Sequence, residues 1–198
     1  MRNLSYLDLS VNNFSGHIPS LHLMRSLSYL NLSDNSFNGH IPTTIGNFHL
    51  RVLALNGNGL DGRIPDELGL LHNFRVLHLS GNKLSGSIPF HLGNLSKLEF
   101  LSLGSNKLSG SIPETITKLS KLYLLYLRKN ALVGKIPKNI GNLHSLEIIN
   151  LHLNNLTGPI PYSIGQLKSL QALIIDNNNI SGSIPNSIGG LVSLKILD

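Results

Sequence analysis

The chain has 198 residues, of which 41% are hydrophobic and only 13% are charged, and its net charge at neutral pH is +6. Its length fits one domain, and no run of about 18 apolar residues predicts a membrane-spanning helix. Half of the lysines and arginines lie between Lys97 and Lys138, but they form no continuous stripe, which argues against a nucleic-acid-binding surface.

An asparagine recurs at a nearly constant interval along the whole chain. Successive intervals are 23, 23 and then five times 24 residues, and an Ile-Pro pair follows six residues after each of these asparagines. A fixed period of this length predicts a solenoid, in which every repeat forms one coil, rather than a globular core. The eight asparagines are Asn12, Asn35, Asn58, Asn82, Asn106, Asn130, Asn154 and Asn178.

The first predicted element of each repeat is a short strand. In the repeat that starts at Leu98, leucine and serine alternate over Leu101, Ser102 and Leu103, which is the period of a strand with its leucines directed inward. Strands stacked about 4.8 Å apart would form a concave parallel sheet and join their leucines into one core.

Three special residue types follow the strand in a fixed order. The recurring asparagine is predicted to satisfy backbone groups of adjacent coils, because its amide carries both donors and an acceptor. A glycine four residues later would relax a crowded backbone, and the proline, with its fixed φ and missing N–H, suits the start of a helical turn on the outer face. The first two repeats are one residue short in this outer segment, between Pro19 and Leu27 and between Phe48 and Leu50.

The segment L-x-G-x-I-P is the most specific part of the repeat. It reads Leu60-Asp61-Gly62-Arg63-Ile64-Pro65 in the third repeat, and the other seven carry Leu, Phe or Ile at its first position. Through this motif, essentially the whole chain from residue 4 to residue 198 resembles the plant-type extracellular leucine-rich repeat family. Members of that family are ectodomains of receptor-like kinases, kinase-less receptor-like proteins and secreted polygalacturonase-inhibiting proteins.

The resemblance implies an α/β repeat solenoid that winds as a right-handed superhelix. Its parallel sheet would line the concave side, short 3-10 turns would lie on the convex side, and a small second sheet often accompanies the L-x-G-x-I-P segment. This chain would contribute eight full repeats of 23 or 24 residues and a partial ninth.

The two ends of the chain depart from the family pattern. Family members bracket their repeats with cysteine-bearing caps, whereas this chain contains no cysteine, opens inside a repeat without a signal-peptide pattern, and stops inside the strand of a ninth repeat. Residues 1–198 are therefore expected to be one uncapped array and a fragment of a longer ectodomain. A kinase domain, where one follows in the family, would lie outside these residues.

Six Asn-x-Ser/Thr sequons are candidates for glycosylation and fit the location that the resemblance implies, either secreted or at the outer face of the plasma membrane. Asn31 lies between the inward Leu30 and Leu32, so a glycan there would sit on the concave sheet. The six candidates are Asn3, Asn13, Asn31, Asn94, Asn155 and Asn179.

The outward positions of the concave strands are the expected place for ligand binding. The sixth and seventh repeats differ from the others, because they combine the aromatic Tyr126 with the fixed charge of Arg128, and such residues dominate binding hot spots. The guanidinium of Arg128 could pair with a carboxylate of a peptide or of an acidic sugar. The predicted contact residues are Phe100, Tyr126, Arg128, Lys129, Asn150, His152 and Ile174.

No catalytic or cofactor-binding constellation accompanies these positions. Zinc-ligand spacing, a phosphate-binding glycine loop and a nucleophile elbow are all missing from the sequence. His78 and His152 would lie about 14 Å apart on the sheet, too far for one metal ion. We therefore expect no enzymatic activity, no metal and no cofactor.

The sequence favours a non-catalytic recognition module, part of the ectodomain of a receptor-like kinase or receptor-like protein in signalling or defence. Its expected partners are a peptide or protein ligand, a co-receptor ectodomain or an acidic wall polysaccharide. Two alternatives stay open: a secreted inhibitor of a cell-wall polygalacturonase, and a truncated scaffold fragment without a function of its own.

Overall fold

The structure is a computed structural model that describes residues 3–20, 24–47 and 49–198. Each repeat forms one coil of a solenoid, and we number the coils 1 to 8 by the recurring asparagine that each contains. The predicted shortening of the first two outer segments falls around residues 21–23 and 48, which lie outside the described residues.

A strand begins every coil and joins a nine-stranded parallel sheet on the concave side. Adjacent strands pair in an unchanged register, so that Leu101, Leu125 and Ile149 stand side by side with side chains that are at most 1% exposed. The alternation of inward leucines is therefore confirmed. The strands span Tyr6–Asp8, Tyr29–Asn31, Val52–Ala54, Val76–His78, Phe100–Ser102, Leu124–Tyr126, Ile148–Asn150, Ala172–Ile174 and Ile196–Leu197.

A second parallel sheet follows the asparagine turn in each coil. It consists of blocks of three and five strands, and a single bridge between Arg63 and Ser85 connects coil 3 to coil 4. The small second sheet that the resemblance implied is thus present. Its strands span Ser15–His17, Ser36–His40, Gly59–Asp61, Ser85–Ser87, Lys107–Ser111, Ala131–Gly134, Asn155–Gly158 and Asn179–Ile180.

Short 3-10 helices form the outer side of coils 2 to 8. Pro65, Pro113 and Pro161 stand directly before their helices with φ between −67° and −63°, which is the geometry that the pyrrolidine ring imposes. The convex turns are therefore confirmed. The helices span Thr43–Asn47, Asp66–Leu70, Phe90–Asn94, Glu114–Lys118, Ile140–Asn142, Tyr162–Gln166 and Asn186–Gly190.

The recurring asparagines connect successive coils through their side chains. Nδ2 of Asn106 donates to the carbonyl of Leu79 in the preceding coil and to that of Leu103 in its own coil, each at 3.0 Å. Oδ1 of Asn106 accepts from the backbone N–H of Leu84, also at 3.0 Å. The same set of bonds recurs from Asn35 to Asn178, and we call it the asparagine ladder.

Candidate ligand-binding site

A hollow of about 650 Å³ lies on the concave face and is lined by residues of coils 2 to 7. Its floor is formed by small residues, among them Gly57, Gly81, Ser102 and Gly104. We call this feature the concave hollow. Its floor leaves room that longer side chains occupy in the neighbouring coils, so it is the candidate ligand-binding site of the described residues.

A left-handed turn precedes each asparagine of the ladder and explains why glycine opens the floor. The residue directly before the asparagine is glycine in coils 3 and 4, with φ of +64° at Gly57 and +67° at Gly81. Glycine reaches this region without steric cost. In the other six coils a residue with a side chain takes φ between +52° and +54° at the same position. Glycine at this position in both coil 3 and coil 4 therefore leaves the concave surface free of a side chain there.

A row of aromatic rings borders the hollow. The ring of Phe100 meets that of His78 edge-on at a centroid distance of 5.3 Å and lies 6.1 Å from the tilted ring of Tyr126. These distances are in the range of favourable aromatic pairs, so the row forms a continuous surface for an apolar side chain. Burial raises the pKa of the Tyr126 phenol, while the charge of Arg128 opposes that rise.

The histidine in this row is held in its neutral form. Burial lowers the pKa of His78, and the carboxylate of Asp34 partly offsets that effect. Nε2 of His78 lies 2.7 Å from the hydroxyl of Ser80, which fixes the ring orientation. The hollow therefore presents an uncharged imidazole beside Phe100 at neutral pH.

Two charged side chains lie at opposite ends of the hollow and lean over glycines of the neighbouring coil. Cγ of Arg128 is 3.1 Å from the position that a Cβ on Gly104 would take. A Cβ on Gly57 would likewise collide with Oδ1 of Asp34. The arginine thus extends toward coil 5 and the aspartate toward coil 3.

The predicted contact residues divide into two groups. Phe100, Tyr126, Arg128 and Asn150 line the concave hollow, whereas Lys129, His152 and Ile174 do not belong to its lining. Lys129 occupies the left-handed turn of coil 6 with φ of +54°. Nδ1 of His152 lies 2.7 Å from Oδ2 of Asp176, and Ile174 is half-buried at the end of the coil 8 strand, two residues before Asp176.

The predicted contact residues did not include Asp34 and His78, which also line the hollow, and the glycine floor was not predicted. A signal for the floor was present, because glycine replaces larger residues directly before the third and fourth ladder asparagines and again at Gly104. It was not recognised, since the left-handed conformation of that position cannot be seen from residue types as different as Val11 and Lys129.

The sequon asparagines differ in their surroundings. Asn31 stands on a strand of the concave sheet, where its Nδ2 donates to Oδ2 of Asp8 at 3.0 Å. Its side chain is therefore engaged, and a glycan would have to break this bond. The remaining five are exposed: Asn3, Asn13, Asn94, Asn155 and Asn179.

Two general features complete the description of the site. In residues 3–20, 24–47 and 49–198, no group of three or more His, Asp or Glu side chains is arranged to hold a metal ion. Over the same ranges, none of the helices has the length and apolar character needed to cross a bilayer.

Stacked coils with a concave strand, an asparagine turn and an outer 3-10 helix define a leucine-rich repeat solenoid. The sequence matches the model of the leucine-rich repeat region over residues 40–157. It also matches the model of the single leucine-rich repeat over residues 3–22, 26–48 and 169–191.

Crystal structures of plant receptor ectodomains superpose on nearly the whole chain. The Arabidopsis receptor kinase HAESA, solved with the peptide hormone IDA and the co-receptor SERK1, is 38% identical and gives a TM-score of 0.96 over 100% of this chain and 33% of that one. The ectodomain of the Arabidopsis thaliana receptor kinase GASSHO1/SCHENGEN3, solved with CASPARIAN STRIP INTEGRITY FACTOR 2, is 35% identical with a TM-score of 0.86 over 99% of this chain and 26% of that one. A TDR receptor is 33% identical and gives a TM-score of 0.87 over 98% of this chain and 38% of that one.

The chain belongs to the plant-type extracellular leucine-rich repeat family. It spans between about a quarter and two fifths of the receptor ectodomains that it matches. No curated protein gives a significant match to the sequence.

Proposed function

We propose that this chain is a non-catalytic recognition segment of the extracellular domain of a plant receptor-like kinase or receptor-like protein. Its concave hollow binds an extended peptide or an exposed segment of a protein ligand. The observation that carries the proposal is the hollow itself, in which the aromatic row of His78, Phe100 and Tyr126 lies next to the exposed guanidinium of Arg128. Aromatic residues and arginine are the residue types that dominate binding hot spots.

The solved relatives support this assignment. HAESA was crystallised with a peptide hormone and a co-receptor, and its ectodomain superposes on all of this chain. The share of those ectodomains that the chain spans supports its place within a longer array, in which the same coils would act in signalling or defence. A co-receptor ectodomain would then be the second protein partner.

Binding measurements with point variants test the proposal. Peptides selected on the immobilised chain from a bead-bound library of N-acetylated octapeptides would be titrated against Tyr126→Ala and Arg128→Ala variants. Each substitution removes a contact of hot-spot type and should weaken binding by about 2 kcal/mol or more, roughly 30-fold in Kd. Tyr162→Ala and Lys121→Ala, which change exposed residues outside the hollow, are the matched controls.

The outcomes are distinct. Retained affinity in both hollow variants, or failure of the wild-type chain to select any peptide, contradicts peptide recognition at this site. The inhibitor alternative predicts instead that the chain slows hydrolysis of polygalacturonate by a polygalacturonase, and that added salt relieves the inhibition, because an acidic polymer would bind through charge. A receptor segment leaves that enzyme unaffected.

A further inference from the structure

Two side chains of opposite charge face the concave hollow without a partner of their own. The carboxylate of Asp34 and the guanidinium of Arg128 form no ion pair or hydrogen bond with any residue in the described part of the chain. Both are exposed. They are therefore free to bind charged groups of a ligand.

Two other carboxylates of the concave face, those of Asp8 and Asp176, are already engaged. Oδ1 of Asp8 accepts from the hydroxyl of Ser10 at 2.6 Å, and Oδ2 of Asp8 accepts from Asn31 at 3.0 Å. Asp176 lies beside His152. Asp34 differs from both, since its charge is directed into the hollow and is not compensated there.

Both free charges point toward the centre of the hollow. Asp34 belongs to coil 2 and lies over Gly57 of coil 3, while Arg128 belongs to coil 6 and lies over Gly104 of coil 5. Four strand spacings separate the two coils, which is about 19 Å. Because each side chain leans inward, the charged groups are roughly 10 to 15 Å apart, the length of about three to five residues of extended peptide.

The surface between the two charges is apolar or neutral. Phe100 and Tyr126 form its edge, and the pKa of His78 is lowered by burial, so that the imidazole adds no positive charge to screen Asp34. The hollow is thus an aromatic channel with a negative group at one end and a positive group at the other.

We propose that the concave hollow selects an extended peptide that places a lysine or arginine against Asp34 and a carboxylate against Arg128, with an apolar residue between them on the aromatic row. Asp34 is the specificity-determining residue for the basic side chain. A carboxylate binds Lys or Arg through charge-assisted hydrogen bonds, and Arg128 can bind a carboxylate with two parallel bonds. This inference rests on the proposed peptide recognition.

The test compares the sequence preferences of three forms of the full chain. The library of N-acetylated octapeptides, attached through their C-termini, would be selected on wild type, on Asp34→Asn and on Arg128→Gln. Asn is well suited to the left-handed turn at position 34, where coil 8 carries Asn177, so the first variant removes the charge and keeps the fold. Asp66→Asn and Lys121→Gln, whose sites lie outside the hollow, serve as controls.

The wild type should enrich peptides with a basic and an acidic residue about three to five positions apart. Asp34→Asn should lose the preference for the basic residue and retain the acidic one, and Arg128→Gln should do the reverse. For one selected peptide, each substitution should raise Kd about tenfold or more. Both controls should keep both preferences.

Two results would overturn the inference in different ways. If the wild type selects peptides and Asp34→Asn keeps the basic preference, the charge-pair specificity is wrong while peptide recognition stands. If the wild type enriches no peptide, both the inference and the proposed function are wrong.

Discussion

The residue before each ladder asparagine adopts a backbone conformation that few side chains favour. Leu153 has φ of +53° and is 41% exposed, so its side chain contributes little burial in return for an unfavourable conformation. The equivalent position is Asp34 in coil 2 and Asn177 in coil 8, both residue types that tolerate left-handed geometry. The solenoid imposes this turn on every coil, whatever residue occupies it.

A substitution at Leu153 should therefore stabilise the protein. We expect Leu153→Asn to raise the free energy of unfolding by about 0.5 to 1 kcal/mol, because asparagine relieves the left-handed strain. The matched control is Val133→Asn, at a residue that is 46% exposed on a strand of the second sheet, where loss of β-propensity should destabilise the protein. Urea denaturation measures both, and an equal loss of stability in both variants would contradict the role of the turn.

We expect His78 to make the free energy of unfolding depend on pH. Burial lowers its pKa from the ordinary value of 6.5, so below that pH the unfolded chain binds more protons at this site than the folded protein does. The contribution of His78 to stability is then lost as the pH falls through 6.5 toward the folded pKa.

Replacing His78 with glutamine should remove this loss. We expect the free energy of unfolding of His78→Gln, relative to wild type, to increase as the pH is lowered from 7.5 to about 5. Denaturant titrations over this pH range measure the difference, and His144→Gln, at an exposed histidine of an outer segment, is the control. A difference that does not change with pH would exclude His78 as the responsible group.

At the scale of the element, the asparagine ladder should contribute more to the free energy of unfolding than the left-handed turn before each asparagine. The amide of Asn106 satisfies the carbonyls of Leu79, Leu103 and Gly104 and the N–H of Leu84. Removal of the amide leaves the N–H of Leu84 without a partner at a half-buried position. It also removes one of the two donors from each of the three carbonyls, which keep only Nδ2 of Asn82, Nδ2 of Asn130 and the N–H of Gly81. The cost of unsatisfied groups exceeds the net gain of an ordinary hydrogen bond.

Asn106→Ala should accordingly lower the free energy of unfolding by about 2 to 4 kcal/mol. Asn155→Ala is the control, because Asn155 is exposed and directly follows a ladder asparagine without belonging to the ladder. The effect on Asn155 should stay within about 0.5 kcal/mol. Thermal unfolding of both variants provides the comparison, and a small loss in Asn106→Ala would show that water replaces the amide.

Most of the fold could be predicted from the sequence, because each element depends on local periodicity. The alternation around Leu101 predicted the concave strand, and the proline at Pro113 predicted the start of an outer helical turn, which the family resemblance specified as a 3-10 turn. The hollow could not be predicted in the same way. It depends on how far Arg128 and Asp34 lean over glycines of other coils, and a one-dimensional pattern carries no such side-chain direction.

At the scale of the whole molecule, stability is distributed over the boundaries between coils. Leu101 pairs with Leu77 on one side and with Leu125 on the other, whereas Leu7 pairs only with Leu30. In a solenoid, each coil contacts its nearest neighbours alone, so a central coil contributes two interfaces and an outer coil one.

Equal truncations in a central and an outer coil should therefore differ. We expect Leu101→Ala to cost about 2 to 5 kcal/mol, because a fully buried side chain leaves a cavity between two interfaces. Leu7→Ala should cost about half as much, since its side chain is only partly buried. Amide hydrogen exchange should show loss of protection across the central coils in the first variant and only near coil 1 in the second. Equal costs would argue against nearest-neighbour additivity.

The bonds that join successive coils also determine how the molecule responds to tension. The strand-to-strand hydrogen bonds, and the ladder bonds that each asparagine makes to the preceding coil, run across coil boundaries, roughly along the solenoid axis. A pulling force applied between the two ends therefore breaks the bonds of one coil boundary at a time. It does not shear all of the boundaries at once. The protein should therefore extend at low force in steps of one coil, each step releasing about 24 residues of chain.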